Sequence, residues 1–210
     1  MDDRLPSLTA LVVAFARAAY TSAPMALRVA PDPVARRLLP PVISHLAWAM
    51  PFAWRAPRVT QRALQLLGLG FLDHVALRTA AIDAALTAAV VGGVAQVVIL
   101  GAGLDARAYR MGELSGAVVF EVDHPSTQRY KRRHIAGIAP LAREVRFVTV
   151  DFERDDPGAL LAASGHDASA ATFWLWEGVT PYLRPAAIEA TLAMIRARSA
   201  PGSIVALTYV

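Results

Sequence analysis

Between Gln96 and Asp123 the chain reads as apolar run, glycine turn, second apolar run and acid, an order that few folds accept. Val97-Val98-Ile99-Leu100 is continuously apolar, which suits a central parallel strand buried on both faces. It leads directly into Gly101-Ala102-Gly103-Leu104-Asp105-Ala106-Arg107. Gly101 and Gly103 have no Cβ to obstruct a sharp strand-to-helix turn, so backbone N–H groups there can approach a ligand closely. The second run, Ala117 to Phe120, continues through Glu121 and Val122 to Asp123, 20 residues after Gly103. An acid in that place typically grips ribose hydroxyls, so the stretch predicts a nucleotide-type cofactor site. Ala106 stands where a dinucleotide fingerprint has its third glycine. Alanine is tolerated there, yet it shifts the expectation toward a mononucleoside cofactor without a pyrophosphate. The plainer account of the glycines is a tight turn in a ligand-free α/β protein.

Downstream the alternation continues. Strands are expected near 96–100, 117–122, 145–150, 171–176 and 203–209, with helices near 105–112, 125–137, 156–164 and 185–199. That order specifies an α/β fold with a doubly wound, mostly parallel, Rossmann-like sheet. Upstream, prolines at 6, 24, 31, 33, 40, 41, 51 and 57 divide the chain into short helices. Residues 1–75 are therefore expected to form a helical cap segment and residues 76–210 a cofactor-binding domain. From Leu72 to Ala89 apolar positions recur at helical intervals, which predicts a helix leading into the first strand. A length of 210 residues suits one such domain with a short addition. The chain ends at the fifth strand, so the C-terminal strands that usually complete such a sheet are expected to be missing and the edge to be exposed.

Composition narrows the chemistry. The chain has no cysteine, which excludes disulfides, thiolate metal sites and a cysteine nucleophile, and fits a reducing cytoplasm. Histidines 45, 74, 124, 134 and 166 show no metal-ligand spacing, so no metal is expected. The hydrophobic fraction of 55% and mean hydropathy of +0.40 come from short periodic blocks. The most apolar of these, Ala84 to Leu100, is interrupted by Gly92, Gly93 and Gln96 and falls short of a membrane span. The start, Asp2-Asp3-Arg4, and the run Leu8 to Ala16 before Arg17 lack the pattern of a secretory signal. A net charge of +4 arises from arginine-rich helices, most densely at Arg129-Tyr130-Lys131-Arg132-Arg133-His134. A solvated helix face accounts for that cluster better than nucleic-acid binding, because no recognition module or aromatic platform accompanies it. Neither a nucleic acid nor a membrane is expected as a partner.

Five blocks in order carry a family resemblance. They are Arg78-Thr79-Ala80-Ala81-Ile82-Asp83, the stretch from Val98 to Arg110, Phe120-Glu121-Val122-Asp123-His124-Pro125, Val150-Asp151-Phe152, and Trp176-Glu177-Gly178-Val179-Thr180-Pro181-Tyr182-Leu183. With Asp32-Pro33-Val34-Ala35 before them and Ser199 to Ser203 after, the chain resembles the leucine carboxyl methyltransferase-like family. Most closely it resembles the bacterial, actinobacterial-type members, which are S-adenosyl-L-methionine-dependent methyltransferases. The resemblance implies that Asp123 accepts hydrogen bonds from both ribose hydroxyls and Asp151 one from the adenine amino group. It also implies that Phe152 packs on the base and offers it a backbone N–H. Arg78 then pairs with the methionine carboxylate, Gly101 and Gly103 admit the methionine part, and Glu177 faces its ammonium or the transferring methyl. On its own Arg78 reads better as an ordinary exposed helix arginine, whereas for Asp123 a helix cap before His124-Pro125 is the lesser reading. Glu177 at a buried strand end requires a partner. The chain departs from the family at Ala106, where threonine is usual, and at Val210, beyond which members continue through a substrate-covering segment and two strands.

The implied activity is methyl transfer, expected to be O-methylation of a small-molecule carboxylate or hydroxyl. A carboxylate acceptor needs no base; a hydroxyl does, and His124, His74 and Glu177 are the candidates. Trp174, Trp176 and Tyr182 are available to line a pocket, though alternating strand aromatics belong more often to the core, where Trp174 is expected. Two other readings compete. An NAD(P)-dependent oxidoreductase accounts for strand, glycine loop and acid, but leaves Arg78, Asp151-Phe152 and Glu177 unexplained. A non-catalytic or truncated S-adenosylmethionine-binding remnant accounts for the end at Val210.

Overall fold

The apolar runs form five strands, β1 (Gln96–Leu100), β2 (Val118–Asp123), β3 (Glu144–Thr149), β4 (Thr172–Trp176) and β5 (Ile204–Leu207). In the computed structural model, which describes residues 6–68 and 70–209, they make one sheet in the order β3-β2-β1-β4-β5. The residues Asp2-Asp3-Arg4 and the terminal Val210 lie outside the described residues. Every neighbouring pair is parallel, as expected. β1 and β4 are buried along their whole length, which is why their sequences are continuously apolar. Leu100 is in register with Val122 and Trp176, and Asp123 with Thr149. The residues that follow each strand therefore emerge at one end of the sheet. The chain winds away from β1 in opposite directions through β2 and β4, leaving a crevice between them at that end.

Eight helices are described: α1 (Leu8–Thr21), α2 (Pro41–Ala53), α3 (Pro57–Gly68), α4 (Phe71–Val91), α5 (Arg107–Arg110), α6 (Pro125–His134), α7 (Pro157–Ala163) and α8 (Pro185–Ala197). Five begin at a proline, whose fixed φ suits the first helical position and whose missing N–H costs nothing there. Of the upstream prolines, Pro41 and Pro57 divide the chain by starting helices. Pro51 does not, since α2 runs through it near its end. α4 begins at Phe71 and crosses residue 75 without a break.

Strand alternation sends side chains into two layers. Val97, Ile99, Val119, Phe173 and Leu175 pack with Leu11, Leu38, Ile82 and Leu86 from α1, the 3₁₀ turn at Ala35–Leu38 and α4. On the other face Val98, Leu100, Phe120, Trp174 and Trp176 pack with Leu161 and Ile195 from α7 and α8. A third cluster, including Tyr20, Met50, Trp54, Leu72 and Val75, joins α1 and α2 to α4. By length and composition the 21-residue α4 could cross a membrane. Here one side of it is packed into the protein, with Leu72, Val75, Thr79, Ile82 and Leu86 buried and Arg78 and Asp83 engaged in ion pairs.

Two local expectations need correcting. α5 is a single turn, not a helix over 105–112, because Asp105 accepts the Arg107 N–H and Met111 is already extended at φ −101°. The basic run on α6 is only partly solvated. Its period turns Gln128 and Lys131 inward, and Lys131 Nζ lies 2.6 Å from Glu121 Oε2, both side chains being 1% exposed.

Candidate active site

At the mouth of the crevice Gly101 and Gly103 both take left-handed conformations, with φ of +66° and +49°. A Cβ on Gly101 would collide with the Val179 side chain, so glycine is required there on two counts. The turn brings the Gly103 N–H onto Asp123 Oδ2, while Asp123 Oδ1 accepts the His124 N–H at 2.6 Å. Burial pushes the Asp123 carboxyl up, against these two bonds. Capping of α6 falls to His124, whose Nδ1 accepts the Ser126 N–H, so Asp123 is not the cap that its position allows.

On the other side of β1, Glu177 follows β4 and meets Arg78 from α4. Both Nε and Nη2 of Arg78 lie 2.8 Å from Glu177 Oε1. The second carboxylate oxygen, Oε2, lies 3.1 Å from Nη1 of Arg107, which is fully buried on α5. The strand-end glutamate thus has two cationic partners. Burial alone would push its carboxyl up, but Arg107, Arg78 and Arg17 outweigh that and hold it below the ordinary value.

These pairs belong to a longer chain of buried charge. Arg107 also pairs with Asp105 and, through Nε at 2.7 Å, with Asp83 of α4. Arg110 reaches Asp83 Oδ2 at 2.8 Å and faces Asp32 Oδ2 at 3.5 Å, and Arg17 of α1 lies 3.3 Å from the same Asp32 oxygen. Arg17 Nη2 also donates to the Leu104 carbonyl at 2.7 Å, tying α1 to the glycine loop. Burial works against the Asp105 carboxylate and the Arg107 guanidinium, yet each is held in its charged form by its partners. Sequence reasoning missed Arg17, Asp32, Asp83, Arg107 and Arg110 as members of one network. The available signal was their position among apolar residues, since a charge buried with its element must be paired.

Asp151 and Phe152 follow β3 beside Asp123, but their surroundings differ. Asp151 Oδ1 accepts the Glu153 N–H at 3.0 Å and Oδ2 faces Arg154 Nε at 3.6 Å, so its carboxylate folds onto its own turn. Phe152 is partly buried and packs against the second core layer. The structure therefore joins Gly103 to Asp123 and Arg78 to Glu177 directly. Asp151 and Phe152 stand at the same end of the sheet without bonding to either pair. Trp174 and Trp176 are wholly buried in the second core layer, Trp174 as expected. Tyr182 is exposed and hydrogen-bonds Thr9 of α1. His124 and His74 are exposed, and His74 lines a cleft of about 290 Å³ with Arg78, Gly178, Leu207, Thr208 and Tyr209.

The family model for leucine carboxyl methyltransferase matches residues 10–196, which include every member of the ionic chain. The chain belongs to the leucine carboxyl methyltransferase family. Among its relatives is a Mycolicibacterium vanbaalenii protein, 45% identical over 140 residues, a match covering 66% of this chain and 45% of the relative. A Mycobacterium tuberculosis protein is 48% identical over 137 residues, covering 64% of this chain and 43% of the relative. A Mycobacterium avium protein is 43% identical over 154 residues, with coverage of 73% and 49%. All three carry the name "Putative S-adenosyl-L-methionine-dependent methyltransferase". The chain spans about half the length of these curated relatives.

Proposed function

We propose that this chain binds S-adenosyl-L-methionine at the carboxyl end of its sheet and belongs to a methyltransferase that acts on the oxygen of a small-molecule carboxylate or hydroxyl. The observation that carries the reading is the pairing of Arg78 with Glu177 at the crevice, across β1 from the contact between Gly103 and Asp123. An amino-acid zwitterion matches such a pair, its carboxylate replacing Glu177 on Arg78 and its ammonium replacing Arg78 on Glu177. Asp123 uses its oxygens on two backbone N–H groups and has lone pairs left for the ribose hydroxyls. Asp151 would turn from the Glu153 N–H to the adenine amino group, with Phe152 against the base. Gly101 and Gly103 keep the floor of the site free of side chains.

The dinucleotide alternative fares worse. A pyrophosphate needs free N–H groups at the start of the helix after the glycine loop, and here that helix is one turn long. Its first N–H, on Arg107, is taken by Asp105 at 2.7 Å. Asp105 also sets a negative charge where a phosphate would approach.

When bound, the cofactor supplies a methyl group on a sulfonium, an electrophile strong enough that positioning provides much of the acceleration. The chain's part is to hold the two ends of the cofactor and keep water out. Residues 1–75 would act as the cap: Ala10 of α1 overlies the glycine loop, and Thr9 bonds to Tyr182 beyond β4. The cleft beside Arg78 suits the acceptor, with Leu207 and Tyr209 as apolar wall and His74 as base for a hydroxyl. Calorimetric titration with S-adenosylmethionine, S-adenosylhomocysteine and NADH, using Asp123→Ala as control, tests the reading. Saturable binding of both sulfur nucleosides, lost in the variant, is expected. Binding of NADH in their place would overturn it.

A further inference from the structure

Arg107 is not among the residues that the family resemblance assigns to the cofactor, yet among the described residues it pairs with more carboxylates than any other cation. Its side chain is 0% exposed and contacts three carboxylates from three parts of the chain: Asp83 on α4, Asp105 in the glycine loop and Glu177 after β4. Glu177 divides its two oxygens, giving Oε1 to Arg78 and Oε2 to Arg107. The two arginines differ in freedom. Arg78 has Glu177 as its ion-pair partner and a side chain 16% exposed at the edge of the cleft, whereas Arg107 is fixed from three sides. Its Nη2 is buried without a hydrogen-bond partner, which costs stability and is tolerated where the arrangement serves something else.

We propose that Arg107 is a positioning residue for the amino-acid end of the cofactor, an inference that rests on the reading above. A zwitterion can enter between Arg78 and Glu177 only if the pair parts. Without an anchor the Glu177 carboxylate would follow the Arg78 guanidinium, because separating two opposite charges in a partly buried site is costly. Arg107 supplies that anchor through Oε2. It leaves Oε1 to exchange the guanidinium of Arg78 for an ammonium, and Asp83 and Asp105 hold Arg107 in place. Arg107 need not touch the ligand.

The test exploits a pair of ligands that differ only at that end. S-adenosylhomocysteine carries the zwitterion; 5′-methylthioadenosine keeps the adenosine and the sulfur and lacks it. Each is titrated into the native chain, Arg107→Gln, Arg107→Lys and Asp83→Asn, with circular dichroism to monitor the fold. Arg107→Gln is expected to weaken S-adenosylhomocysteine at least about tenfold, the scale for a displaced charge partner, and to leave 5′-methylthioadenosine within about twofold. Arg107→Lys should recover part of the loss. Asp83→Asn, which loosens Arg107 from α4, should give the same selective loss in weaker form. Equal weakening of both ligands would make Arg107 a structural residue only, and no weakening of either would remove the role. If Arg107→Gln does not fold, the contrast between the two ligands in Arg107→Lys and Asp83→Asn decides. A native chain that binds neither nucleoside would overturn the cofactor reading itself, and this inference with it.

Discussion

At Gly101 two separate constraints coincide, and they can be measured apart. Its φ of +66° is one that a residue with a Cβ adopts only under strain, at a cost of about 1–2 kcal/mol. The Cβ would in addition strike the Val179 side chain. Gly101→Ala is therefore expected to destabilise the chain by about 2–4 kcal/mol in urea unfolding. Adding Val179→Ala removes the collision but not the strain. The double variant should regain part of the loss, and additive losses would show that the clash is not what makes the site intolerant. Gly178, with φ of +68° and open space where a Cβ would go, provides the control in which strain acts alone.

Among the elements, α6 shows how far a charge pattern can mislead. A run of four basic residues with one tyrosine reads as a wetted face, and Arg129, Arg132 and Arg133 are exposed. Lys131 goes the other way because Gln128, one turn earlier, is fixed to the carbonyls of Glu121 and Val148 at 2.9 and 2.8 Å. The partner Glu121 sits mid-strand in β2, in a stretch that sequence reasoning treated as part of an apolar run. Long-range pairs of this kind leave no periodic trace, which is also why Asp83, Arg107 and Glu177 could not be joined before the fold was known. The sheet was legible because continuous apolar runs bounded by glycine or proline permit little else. Gly101, Gly103 and Asp123 were legible because their spacing follows from one strand-turn-helix-strand unit. The buried pair makes a sharp prediction. Lys131→Met leaves an unpaired carboxylate in the core and should cost about 3–5 kcal/mol, whereas Lys131→Met with Glu121→Leu should approach the native stability. Burial already pushes the Glu121 carboxyl up, so the folded state favours its neutral form more than the unfolded state does. The penalty in Lys131→Met should therefore shrink as pH falls through the folded-state value and be largest at neutral pH, which urea unfolding across that range would show.

For the whole molecule the chain of charge matters more than any single pair, because it links the N-terminal helices to the crevice at the end of the sheet. Arg17 on α1, Asp32, Arg110, Asp83, Arg107 and Glu177 follow one another from the N-terminal helices to the end of β4. Asp32 is the junction. Its Oδ1 accepts the N–H groups of Val34 and Ala35 at 3.2 and 2.9 Å, while Oδ2 faces both Arg17 and Arg110. Removing its charge would free two buried guanidiniums at once without touching any residue assigned to the cofactor. If the cap closes over the ligand through this chain, binding of S-adenosylhomocysteine should slow amide exchange in α1 as well as in the glycine loop, since opening of α1 would then require breaking contacts that the ligand stabilises. In Asp32→Asn the loop should still gain protection while α1 does not, provided circular dichroism shows the variant folded. Hydrogen exchange followed by mass spectrometry reads both segments in one experiment. Equal protection of α1 in the native chain and in Asp32→Asn would mean that the cap responds through direct contact, such as Thr9 with Tyr182, and that the ionic chain only holds the fold together.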